Sequence, residues 1–165
     1  MSELVTGATL VVAGTPVESR SLWEGDASTY GRRIVTYTRV RVNRMLDGAP
    51  RQEVWIRTLG GEVGDIGQQV AGEAVLRVAE PALLFLRDRT DGTHVVVGMN
   101  QGQYLLDARP EMATTRVRAP REGAQLVPRV GLVGAAPLSA RGALMGHTLD
   151  EVESLIAAER RAHAP

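Results

Sequence analysis

The 165 residues contain no cysteine, and all 19 basic residues are arginine, so lysine is missing as well. Without cysteine there is no disulfide scaffold and no thiolate metal site, although the compartment is left open. Without lysine there is no lysine nucleophile, no lysine Schiff base and no phosphate-loop lysine. Aromatics are sparse: Trp23, Trp55, Tyr30, Tyr37, Phe85 and Tyr104 are the full set. Nineteen acidic residues balance the arginines to a formal net charge of zero. That balance argues against a nucleic-acid partner, which normally needs a basic patch. The uncharged stretch 130–140 holds Gly131, Gly134 and Pro137, and is far short of the roughly 20 apolar residues that span a bilayer. Residues 1–13 lack the basic start of a signal peptide. The expected location is extracytoplasmic, periplasmic or secreted, if a leader was removed, and cytoplasmic otherwise.

What remains, 44% hydrophobic and 23% charged, is the composition of an ordinary globular domain. Most of it reads as short strands. Residues 8–20 form a β-rich run broken by Gly14, which suits a bulge, and by Pro16, which suits an edge or a strand end. Residues 33–46 alternate clearly. Ile34, Thr36, Thr38, Val40, Val42 and Leu46 fall on one parity, and Tyr37, Arg39, Arg41 and Asn43 on the other, predicting a strand with one buried face. After the Asp47-Gly48 turn, residues 53–58 place Val54, Ile56 and Thr58 inward and Trp55 and Arg57 outward. A glycine-dense stretch follows from Gly60 to Gly72. Further strands are predicted over 74–78, 82–87, 93–99 and 103–108, with a shorter one over 114–118.

The composition changes after about residue 119, where prolines 120, 128 and 137 and several glycines interrupt any period. This predicts an extended connection over 119–146. Thr148-Leu149-Asp150-Glu151 then fits a capping box with Thr148 as N-cap. Leu149, Val152, Leu155, Ile156 and Ala158 give the helix an apolar stripe, and Arg160 and Arg161 suit its negative end. Many short strands and one terminal helix leave no βαβ spacing. The expected fold is therefore mainly β: a small antiparallel barrel over 4–118, the connection over 119–146, and a helix over 147–163 packed on the barrel. A β-sandwich is the alternative.

Several segments together resemble small exported bacterial β-domains. They are Val11-Val12-Ala13-Gly14, Thr38-Arg39-Val40-Arg41-Val42 with Leu46-Asp47-Gly48, and Val54-Trp55-Ile56-Arg57-Thr58. The pattern continues through Gly60-Gly61-Glu62-Val63-Gly64 and Gly67, Leu83-Leu84-Phe85-Leu86, and Val97-Gly98 to Gln101-Gly102. The resemblance covers roughly residues 8–108 and brings no assigned activity with it. The strand pattern also resembles the OB-type barrel of the netrin and tissue-inhibitor-of-metalloproteinase superfamily, which implies an OB-like fold. Inhibitors of that kind chelate zinc with an amino-terminal cysteine, and a chain beginning Met1-Ser2-Glu3 has none. Fold similarity does not carry function across.

The best candidate site is the face made by Tyr37, Arg39 and Arg41 on one strand and Trp55 and Arg57 on the next. Aromatic rings interleaved with guanidinium groups stack on bases or sugars, or anchor a protein partner. The competing expectation is that the terminal helix or the connection covers Trp55 while nearby acids pair the arginines. The Gly60–Gly72 stretch invites a phosphate-loop reading, but it carries Glu62, Asp65 and Glu73 with no base and no following helix. Glu62 and Asp65 could offer oxygens to calcium, although no EF-hand spacing surrounds them. His94, His147 and His163 show no zinc spacing, so no metal and no cofactor is expected. Ser139, His147 and Asp150 supply the types of a hydrolytic triad without a nucleophile elbow. Asn100-Gln101-Gly102 reads as a hairpin turn with Gly102 at positive φ. The expected function is a non-catalytic binding domain, exported and directed to a protein partner, with oligomeric state open. The alternatives are OB-type oligosaccharide or nucleic-acid binding, protease inhibition and a small hydrolase.

Overall fold

The alternating run forms one of two fifteen-residue strands that pair along their whole length: β1 over Leu10–Glu24 and β2 over Arg33–Asp47. In the computed structural model residues 1–25, 31–107, 114–119 and 140–163 are described. β3 spans Glu53–Leu59, followed by a small hairpin of β4, Gly61–Val63, and β5, Ile66–Gln68. β6 is Ala82–Asp88, β7 His94–Val96, β8 Gln103–Leu106 and β9 Val117–Arg118. The described helices are α1, Ser2–Gly7, α2, Ala140–Leu144, and α3, Leu149–Ala162. The expectation of a single helix is thus corrected to three.

The strand order is β1-β2-β3-β7-β6, and β6 pairs back onto β1 from Leu10↔Leu86 to Gly14↔Ala82. That closes a five-stranded barrel, as expected of an OB-like fold, and the sandwich alternative does not hold. β8 and β9 extend the sheet beyond β6. One junction is not antiparallel: β3 meets β7 in parallel through the single pair Ile56↔His94.

The barrel wall has a core on each side. Leu10, Val12, Val40, Val54, Ile56, Leu84, Leu86 and Val96 fill the interior. Val11, Ala13, Leu83, Phe85, Tyr104 and Leu106 point outward, and Leu4, Val5, Leu149, Val152 and Ile156 of α1 and α3 cover them. β1 and β6 are therefore buried on both faces, which explains their unbroken apolar runs Leu10-Val11-Val12-Ala13 and Leu83-Leu84-Phe85-Leu86. The predicted capping box forms: Glu151 N–H donates to Thr148 Oγ1 at 3.3 Å, and Thr148 N–H donates to Glu151 Oε2 at 2.7 Å. Arg160 then ties the end of α3 to the end of β2, donating to Asp47 Oδ2 and to the carbonyl of Ala8, each at 2.7 Å.

Bulges account for the places where parity misleads. The β1–β2 register shifts between Val11 and Val12, between Ala13 and Gly14, and between Pro16 and Glu18. Asn43 is left unpaired, so Leu46 is buried under α3 outside the barrel rather than inside it with Val40. β1 also runs through Gly14 and Pro16 instead of ending there. The strand expected over 74–78 does not form. Val75 bonds instead to one side chain, donating its N–H to Gln103 Oε1 at 3.0 Å and accepting from Gln103 Nε2 at 2.6 Å. The 100–103 connection is a short 3₁₀ turn rather than a hairpin, and positive φ falls on Gly98 and Met99, not Gly102. Most of the 119–146 connection lies outside the described residues, apart from Ala119 and the stretch holding α2.

Candidate functional site: the outer face of the first three strands

Register places the candidate residues together. Arg39 lies opposite Glu18 on β1 and Trp55 on β3, and Tyr37 lies opposite Arg20 and Arg57. Arg41 is opposite Thr15 and Glu53, and Arg33 is opposite Glu24. Directly opposed residues share a face, so Tyr37, Arg39, Arg41, Trp55 and Arg57 form one continuous outer surface. The helices pack elsewhere, over β1, β6, β8 and the Arg44–Asp47 end of β2, away from Trp55. Trp55 remains 39% exposed, against the expectation that the helix covers it.

The arginines separate into two kinds. Arg39 donates from Nε to Glu18 Oε2 at 3.1 Å and from Nη1 to Glu53 Oε1 at 3.0 Å. Arg57 is buried and donates from Nη2 to Glu24 Oε2 at 2.5 Å. Tyr37 donates its hydroxyl to the same carboxylate. Arg57 holds the Glu24 carboxyl below its usual range, and the charged carboxylate pushes the Tyr37 hydroxyl up. Arg20, Arg33 and Arg41 are exposed and make no hydrogen bond or ion pair among the described residues. Among the described residues every glutamate of this face is engaged, and the charges left without a hydrogen bond or ion pair are all cationic.

Glu18, Arg20 and Glu24 are not foreseen as part of the surface, because Pro16 reads as an edge or strand end and the β-rich run stops at residue 20, whereas β1 continues to Glu24. The period-2 series Glu18, Arg20, Leu22, Glu24 after Pro16 is the signal that would have found them.

Glu62 and Asp65 lie on the other side of the sheet. Gly61 packs against the inner side chains of Ser21 and Thr36, where a Cβ would come within 2.4 Å and 2.3 Å of their hydroxyl oxygens. The side-chain amide of Gln68 accepts from Ile34 N–H at 2.6 Å, fixing the hairpin base. The stretch is thus a tight hairpin rather than a phosphate loop. Its two acids are exposed and engage none of the arginines of β2. Among the described residues no group of three or more His, Asp or Glu is arranged to hold a metal ion.

The histidines are all placed. His94 is buried at the β3–β7 junction rather than at an edge, with Nδ1 3.1 Å from the Trp55 carbonyl and Nε2 3.2 Å from Asp88 Oδ1. His147 faces Glu151, with Nδ1 3.4 Å from Oε2, while Asp150 accepts from Arg44 Nη1 at 2.5 Å. His147 and Asp150 line a shallow depression of ≈ 430 Å³ with Glu151, Ser154 and Leu155. Ser139, the nucleophile of the hydrolase alternative, lies outside the described residues. Among the described residues no helix is long and apolar enough to cross a membrane. No model of a known protein family matches the chain, and no curated protein matches it.

Proposed function

We propose that the chain is a non-catalytic binding domain that docks a protein partner through the outer face of β1, β2 and β3. The observation that carries this reading is Trp55, 39% exposed on an outer face where Arg20 and Arg41 are exposed and make no hydrogen bond or ion pair among the described residues. Trp and Arg are the residues that most often anchor protein interfaces. A rigid three-stranded sheet also holds them with little ordering cost on binding. The partner's matching surface is acidic with an apolar projection. A non-catalytic reading is supported by the sequence, which has no nucleophile elbow around Ser139, and by Asp150 being held by Arg44. An exported location rests on the sequence resemblance alone.

The test is comparative capture on immobilised protein. The native chain and an exposed control variant, Val78→Ser, are expected to retain the same proteins, and Trp55→Ser/Arg41→Ser to lose them. An identical set from all three overturns the reading. The exposed indole beside free guanidinium groups also suits stacking on a base or sugar. Titration of a Trp23→Phe chain with single-stranded oligonucleotides and oligosaccharides at low salt checks that alternative; saturable quenching of Trp55 fluorescence would put it first.

A further inference from the structure

The barrel carries a second exposed apolar residue with the opposite electrostatic setting. Val63↔Ile66 closes the β4–β5 hairpin around Gly64 and Asp65, with Gly64 at φ +60. Ile66 is 55% exposed at this tip. Glu62 and Asp65 beside it are exposed and make no hydrogen bond or ion pair among the described residues. The tip therefore presents Ile66 on the face it shares with Val63 and the Glu62 carboxylate on the opposite face, with Asp65 in the turn beside them. The outer face presents an exposed indole among free guanidinium groups. The two surfaces are opposite in charge, and each also exposes one apolar side chain.

They cannot meet within one molecule. The hairpin base is pinned to the inner side of the β1–β2 ribbon by Gly61 against Ser21 and Thr36 and by Gln68 bonding to Ile34. Trp55, Arg39 and Arg41 lie on the outer side of the same sheet. Contact between copies joins two different patches and leaves one of each open at the ends, which builds open head-to-tail oligomers or rings.

We infer that the partner taken by the Trp55 face is a second copy of this chain, which seats the Glu62–Ile66 hairpin tip there. This rests on the protein-docking reading above. A two-residue turn buries far less than the roughly 800 Å² per partner of a standard interface, so the association is weak, concentration-dependent and salt-sensitive.

Sedimentation velocity of the whole chain, from micromolar to millimolar concentration, tests it. At low salt the average mass is expected to rise with concentration, and added salt to reverse the rise. Glu62→Arg/Asp65→Arg at the tip and Arg20→Glu/Arg41→Glu on the face are each expected to weaken self-association by about tenfold or more. Mixing those two variants restores complementary pairs, and the mass is expected to rise again. All four positions are exposed, and circular dichroism checks that both variants fold. A native chain that stays monomeric at millimolar concentration in low salt overturns the inference, as does association unmoved by tip reversal. If the native chain is monomeric while capture of other proteins still depends on Trp55, the docking reading stands and only the self-docking falls.

Discussion

The barrel wall is built in two ways, and Phe85 and Trp55 show the contrast. Both are large aromatic residues that point outward from barrel strands. Phe85 is fully buried beneath the helices, edge-on to Tyr104 with ring centroids 6.2 Å apart, whereas Trp55 is 39% exposed. On the β1–β6–β8 side the outer face is a second hydrophobic core. On the β1–β2–β3 side it is a lattice of arginines and glutamates with one indole at its centre. A closed barrel needs only its interior filled, so whatever covers or leaves bare the outer face is free to serve another end. One side serves stability, and the other is the face proposed for docking.

The sharpest way to break the comparison is to truncate both aromatics. Phe85→Ala is expected to cost about 3–5 kcal/mol in urea unfolding, the range for deleting a buried aromatic ring. Next comes the network that stiffens the exposed side. Glu24→Gln leaves the buried Arg57 guanidinium without its charged partner and is expected to cost about 1–3 kcal/mol.

That network also sets a pH dependence. The folded-state Glu24 carboxyl titrates below its ordinary value of 4.5. Its contribution is therefore complete above that value and is lost as pH falls through the lower folded-state value. Tyr37 titrates above its ordinary 10.0, so its contribution is complete below that value and is lost as pH rises through the raised one. Unfolding free energies measured across pH should show a shallower acid decline in Glu24→Gln than in the native chain; parallel declines would contradict the assignment.

Smaller effects are expected elsewhere. Thr148→Ala removes the N-cap of α3 and is expected to cost about 1 kcal/mol, read as a fall in thermal midpoint. Thr38 Oγ1 is a buried hydroxyl without a hydrogen-bond partner among the described residues, on the same parity as the interior Val40. Thr38→Val removes that unsatisfied group and is expected to leave stability unchanged or raise it by about 1 kcal/mol. Smallest of all, Trp55→Ala is expected to change stability by less than about 0.5 kcal/mol. A large loss at Trp55 would mean that the exposed side is structural after all.

Much of the fold is legible where the signal is local. β2 and β3 follow from strict alternation, and α3 from its capping box and apolar stripe, because period and cap depend only on near neighbours in sequence. Leu46 was assigned to the right strand and the wrong side, since a bulge at Asn43 changes facing without changing composition. Residues 74–78 have the apolar character of a strand but lie beside a side-chain amide instead of another strand's backbone. The five candidate residues of the outer face were legible together because period 2 puts them on one surface. Glu18 and Glu24, which settle which of the arginines are free, come from a strand whose register no short-range pattern specifies.

By itself, the sequence determined that this chain is mainly β with a capped terminal helix, that cysteine and lysine chemistry are unavailable to it, and that a basic strand over 33–46 is followed by a glycine-rich loop whose charges, Glu62 and Asp65, are acidic. Only the tertiary structure decided that the two do not pair. The basic strand's arginines reach Glu18, Glu53, Asp150 and Glu153, while the acidic hairpin sits behind the sheet. Ion pairing depends on distances of a few ångströms between residues far apart in the chain. Barrel closure through β6 sets those distances, and composition does not record them.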